Sequence, residues 1–211
     1  MKTPFKLLAS AGAAALVLTS TGLQAESTYG YNPAGAAGAT ATARVNINVT
    51  VPTLILLRVG SNAAVVDTVT LALQPNPGIP GPLGAASPLT AGSSQASGWD
   101  GTAPIMSATA TPATLTAIAW TNSAGGGNVN GAVTTPFAAA SGLTAANILV
   151  TSGGGGSLAH PGADTGTFAA TPFARNTVVS STWAYSMNPA GLAAAAAGSH
   201  TQVVTYTATA L

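Results

Sequence analysis

The sequence contains no cysteine, and only 4% of its 211 residues are charged. No disulfide can brace such a chain, although one of this length can bury a sizeable core without cross-links. Lipid attachment to a cysteine behind the first apolar run is excluded too. Both lysines, Lys2 and Lys6, lie at the very start, so the remainder cannot form a Lys–Asn isopeptide bond. Past residue 25 the charges are Arg44, Arg58 and Arg175 against Glu26, Asp67, Asp100 and Asp164, a balance of one negative charge. That leaves no basic patch for nucleic acid and no field to steer a charged ligand. The polar surface must come from Thr, Ser, Asn, Gln and the backbone, and near-neutral surfaces favour association. Aromatics are 5% of the chain, too few for the girdles of an outer-membrane barrel.

What is present begins with MKTPFKLLASAGAAALVLTSTGLQA. Lys2 and Lys6 form a positive n-region, Leu7 to Leu18 a short apolar run, and small residues follow, which is the layout of a secretory signal peptide. The run falls short of the ~20 residues a membrane span needs. Cleavage is expected after Ala25, leaving an exported chain with no membrane span, in the periplasm, at the cell surface or outside the cell. Residues 26–40 are rich in Gly and Ala and read as a flexible leader. Residues 41–211 are expected to form a single domain, with no apolar tail or sorting-type ending for attachment to a cell wall.

The stretch Ala41 to Val51, ATARVNINVTV, alternates strictly. Val45, Ile47, Val49 and Val51 fall on one face, and Arg44, Asn46, Asn48 and Thr50 on the other. A period of two and β-branched side chains predict a strand with one apolar face. Two partners are open to that face: the chain's own sheet, or a neighbouring molecule. Further strands are expected in Thr53–Val59, Val65–Leu73, Ile105–Thr111, Ala113–Thr121, Ala132–Thr135, Thr177–Met187 and His200–Leu211. Pro52 and Pro112 act as breaks. Gln74 to Gly98 reads as a long Pro-rich loop, Asn122 to Gly131 as a Gly-rich turn region, and Ser152 to Gly166 as loop. Phe137 to Val150 can be read as helical turns or as a strand. Asn188 to Gly198 can be read as a short helix, capped by Asn188 with Pro189 in first position, or as a surface loop. The sum is an all-β chain, an antiparallel β-sandwich of eight to ten strands with long Gly/Pro-rich loops behind an N-terminal signal helix.

The inventory for chemistry is thin. His160 and His200 are the only histidines. Asp164 sits near His160, but a metal site needs three or four ligands. No metal or cofactor is expected, and both histidines read as surface residues. No G-x-S-x-G elbow is present. The four carboxylates offer no evident pair for glycoside hydrolysis, Asp67 being placed in a strand and Asp100 in a GWDG turn. The four glycines at 153–156 lack the Lys-Ser/Thr of a phosphate loop. No catalytic residue is expected. Trp183 and Trp120 read as core, while Trp99, in a loop, is the one candidate platform for stacking on a sugar.

Two segments, VNINVTVP (Val45 to Pro52) behind a flexible leader and the long alternating strand Gly198 to Leu211 carrying Tyr206, resemble Cys-free pilus subunits of the alternative chaperone–usher type. More loosely, they resemble other fimbrial-like secreted β-sandwiches, Ig-like in build. They cover under a fifth of the chain, and Ala210 stands where a penultimate aromatic is usual. The resemblance implies a non-enzymatic structural or surface protein of the bacterial envelope. Its neighbour's N-terminal strand would complete its sheet by β-strand addition, with Val45, Ile47, Val49 and Val51 as the contacts. The partners implied are other copies of the chain or envelope proteins. A carbohydrate-binding adhesin using Trp99, with a glycan as partner, is the alternative.

Overall fold

The computed structural model describes residues 26–81, 86–154 and 157–211; the expected signal peptide, 1–25, lies outside them. Two units are distinguished, Met1–Val51 and Pro52–Leu211.

The second unit is all antiparallel strands with little helix. In chain order these are β1 (Ile55–Val59), β2 (Thr70–Pro75), β3 (Met106–Thr111), β4 (Thr114–Thr121), β5 (Gly127–Thr135), β6 (Ile148–Gly153), β7 (Thr171–Phe173), β8 (Val179–Met187) and β9 (Val203–Ala210). They form a four-stranded sheet in the order β1-β4-β8-β6, a three-stranded sheet β7-β5-β9 and a two-stranded ribbon β2-β3. Pro112 falls between β3 and β4, where the chain leaves the ribbon for the four-stranded sheet. A residue without a backbone donor suits that junction.

Alternation decides which side chains go inward. In β4, Ala117, Ala119 and Thr121 are buried while Thr114 and Thr116 are exposed. In β8, Val179, Ser181 and Trp183 are buried, and in β9 every second residue from Val204 to Ala210 is half-buried. Ala117, Ala119, Val150, Val179 and Trp183 of the four-stranded sheet meet Val129 and Phe173 of the three-stranded sheet in one core. Ile55, Leu57, Val59, Tyr206 and Ala208 pack against it half-buried. Leu158, from an irregular segment, is fully buried in the same core, and its carbonyl accepts the Trp183 indole N–H at 3.1 Å. That bond satisfies the polar end of the largest core side chain.

Several expectations are revised. Gly127 and Gly131 belong to β5 and not to a turn. A Cβ on Gly127 would collide with the Phe173 ring, and one on Gly131 with the Phe168 ring. These glycines make room for aromatics inside a strand. Val65 and Val66 are exposed ahead of β2. Asp67 also precedes β2 and accepts from Ser61 N at 2.5 Å, closing a loop. Phe137 to Val150 contains both of its readings: single 3-10 turns at Ala139–Ser141 and Ala145–Asn147, then β6. The short helix forms as α1 (Pro189–Ala194), with the Asn188 side chain accepting from Gly191 N at 2.7 Å. It ends before Gly198.

Candidate strand-addition surfaces and the histidine cluster

In the first unit, Ala41 to Val51 forms no strand, which corrects the expected start of the sheet: the first ladder residue is Ile55. Val45, Ile47, Val49 and Val51 are 71–83% exposed. Isolated surface hydrophobics are ordinary, but four in period two within seven residues concentrate exposed apolar area on one segment. Glu26 to Arg44 folds back on itself. The Glu26 carboxylate accepts from Arg44 N at 3.1 Å and lies 3.6 Å from its guanidinium, and Thr28 Oγ1 donates to Thr42 O at 2.6 Å. The leader therefore has local structure of its own.

In the second unit, the outer strands differ in how their free edges are treated. The β6 edge is occupied, since Val150 N donates to Ala163 O at 2.9 Å and Thr165 N to Ile148 O at 2.9 Å. β7 is three residues long with Pro172, which lacks a donor, at its centre. β1 and β9 end their sheets with, among the described residues, no backbone partner on the outer side. Their Cα atoms approach within 8 Å, so both edges lie on one flank. There Ile55, Leu57, Val59, Tyr206 and Ala208 pack half-buried against the core. An unpaired sheet edge presents free backbone donors and acceptors, to which a strand can in general be added.

His160 contradicts the surface reading: it is buried, with an edge-on contact to Trp183 at 4.9 Å. Its Nδ1 lies 2.6 Å from Gly162 O, and its Nε2 lies 2.7 Å from the Tyr206 hydroxyl. A carbonyl can only accept, so Nδ1 carries the proton. In the neutral ring Nε2 then accepts from Tyr206 O–H, whose oxygen can take the Tyr185 hydroxyl proton across 3.2 Å. Desolvation lowers the His160 pKa from its ordinary 6.5, against opposing effects of the Gly162 hydrogen bond and Asp164. Burial raises the pKa values of Tyr185 and Tyr206. All three groups are held neutral and bonded to one another, which is how a buried polar cluster becomes cohesive. The signal for it was available only as His and Tyr in separate segments. His200 is half-buried and bonds Ala196 O at 2.9 Å.

The carboxylates are spent locally. Asp164 accepts from Gly166 N and Thr167 N at 2.7 and 2.8 Å, and Asp100 from Thr102 N and Oγ1 at 2.9 and 2.7 Å. Those Thr102 bonds lower the Asp100 pKa. Among the described residues no three His, Cys, Asp or Glu side chains gather as metal ligands. Trp99 is 59% exposed, and its indole N–H donates to Thr102 O at 2.7 Å. Trp120 is not core. It sits half-buried on the outer face of the four-stranded sheet, opposite Leu56 of β1, and with Arg58, Ile118 and Val178 it lines an open groove of about 520 Å³. Comparison with protein-family models, with curated proteins and with solved structures finds no match.

Proposed function

We propose that this chain is an exported, non-enzymatic structural subunit of a bacterial envelope, an Ig-like β-sandwich that assembles by β-strand addition between copies. The observation that carries the reading is the unpaired, exposed row Val45, Ile47, Val49 and Val51. Six residue steps at ~3.3 Å span ~20 Å, which suits the eight-residue β9 edge. In the assembly, the row of one copy lies along the β1–β9 flank of another. Its backbone pairs with the open edge, and its side chains cover Ile55, Leu57, Val59, Tyr206 and Ala208. Each buried Val or Ile contributes ~1.5–3 kcal/mol, so four support a durable joint even after the cost of ordering the segment. The near absence of charge favours the same conclusion.

The test is native gel electrophoresis and negative-stain imaging of unheated protein over a range of concentrations. Ladders or filaments are expected for the wild type and none for Ile47→Asp. Monomers at every concentration, or ladders unchanged by Ile47→Asp, would remove the row as the joint. A second reading, glycan binding, is favoured by the exposed Trp99 indole. A glycan screen comparing wild type with Trp99→Ala decides it, since equal binding by the two proteins eliminates that platform.

A further inference from the structure

Asn122 follows β4 directly, and its side chain stands in for the next peptide group of that strand. Oδ1 accepts from Leu54 N at 2.7 Å, and Nδ2 donates to Pro52 O at 2.8 Å. The Leu54 carbonyl accepts in turn from Asn122 N at 3.3 Å and Thr121 Oγ1 at 2.9 Å. Pro52 to Leu54 is thereby held along the end of β4 as a continuation of β1, beyond the last paired residues, Ile55 and Thr121.

The free edge nearest to the apolar row in sequence is that of β1 in the same chain. The return that keeps the whole row from Val45 to Val51 against β1 pairs Val51 beside Ile55, with residues 52–54 as the hairpin loop. Two-residue hairpin loops need positive φ, and three-residue loops place one residue in the left-handed region. Pro52 is locked at negative φ by its ring. Thr53 is β-branched, Leu54 is bulky, and neither adopts positive φ here. Forming the hairpin would also break the four hydrogen bonds above.

We propose that Pro52–Leu54 and Asn122 together bar the chain from completing its own β1 edge, so that strand addition occurs between copies only. This rests on the strand-addition reading of the apolar row and adds its regulation: the occupant of the flank is the row of a second copy. Asn122 is a positioning residue, acting through Pro52 and Leu54.

The test rebuilds the strap as a turn, with Pro52→Asn, Thr53→Gly and Asn122→Ala in the full chain. A strand tethered through so short a loop competes at about millimolar effective concentration, so assembly at micromolar protein should fall roughly a hundredfold or more. In the resulting monomer the amides of residues 45–51 should gain protection from hydrogen exchange. Assembly at the wild-type concentration, with those amides unprotected in the monomer that remains, overturns the proposal. Misfolding would also abolish assembly, so Ile47→Asp is added to both backgrounds. It should lower the melting temperature of the rebuilt monomer and leave that of the wild-type monomer unchanged. Equal insensitivity in the two backgrounds overturns the proposal while leaving strand addition intact. Failure of the wild type to assemble at all sinks both.

Discussion

Replacing Tyr206 with Phe removes one oxygen from the flank of the core and leaves the ring in place. The ring contacts that survive are those with Trp183 at 5.0 Å, His160 at 5.4 Å and Phe168 at 6.3 Å. What is lost is the 2.7 Å bond to His160 Nε2 and the 3.2 Å contact with the Tyr185 hydroxyl. With Nδ1 already committed to Gly162 O, the buried Nε2 has no second partner among the described residues. A buried acceptor left unsatisfied costs about 1–3 kcal/mol. For a unit of this size each kcal/mol moves the melting temperature by about 2–4 °C, so a fall of roughly 4–8 °C is expected at a mid-range cost. Thermal melts at pH 7.5, followed by near-UV circular dichroism, measure it, with exposed Tyr29→Phe as the control. Tyr185→Phe should cost less, because it removes the last donor of the chain and orphans no buried ring nitrogen. The double variant should cost less than the sum, since both changes act on one network. If Tyr206→Phe melts within a degree of wild type, the assignment of His160 as an acceptor held by Tyr206 is wrong.

Other consequences concern pH and packing. The His160 pKa is lowered by burial from 6.5, so the unfolded chain takes up the proton first. Stability from this group is complete above pH 6.5 and falls as pH drops below it, and His160→Gln should flatten that part of a stability–pH curve. Tyr185 and Tyr206 are shifted upward from 10.0, so their contribution holds below pH 10 and declines as pH rises above it in chemical denaturation experiments. Trp183→Ala should cost about 3–5 kcal/mol as a core truncation, while Trp120→Ala, on the outer face, should cost clearly less in urea unfolding. Gly131→Val should destabilise more than an exposed substitution such as Thr207→Val, because its side chain has to displace the Phe168 ring. Asn188→Ala should cost about 0.5–2 kcal/mol through loss of the α1 cap, read by the same urea titration.

The strand content and most strand positions follow from the sequence. Period-two alternation of β-branched and small residues gives the more buried faces of β2, β8 and β9, and that pattern is local. Proline breaks are equally local, as Pro112 shows. The cap at Asn188 needs only its own side chain and the next three residues. The apolar row at 45–51 reads as a strand with one apolar face, yet it forms none in this structure, because pairing is a property of two segments and sequence displays one at a time.

Tertiary structure alone decided the rest. Glycine reads as a turn former because it lacks a side chain, yet Gly127 and Gly131 lie in β5 for that same reason, to admit rings contributed by residues 173 and 168. A polar, Gly-rich stretch reads as solvated loop, yet it delivers Leu158 and His160 to the core, where Trp183, Tyr185 and Tyr206 supply the apolar contact and hydrogen bonds that make their burial favourable. Trp120 and Trp183 both lie in alternating strands, and only the packing of two sheets distinguishes the inward residue from the outward one. Composition settled what kind of surface this chain presents, since it holds almost no charge. Which edges are paired was settled by long-range hydrogen bonding, which covers β6 and, among the described residues, gives β1 and β9 no backbone partner on the outer side.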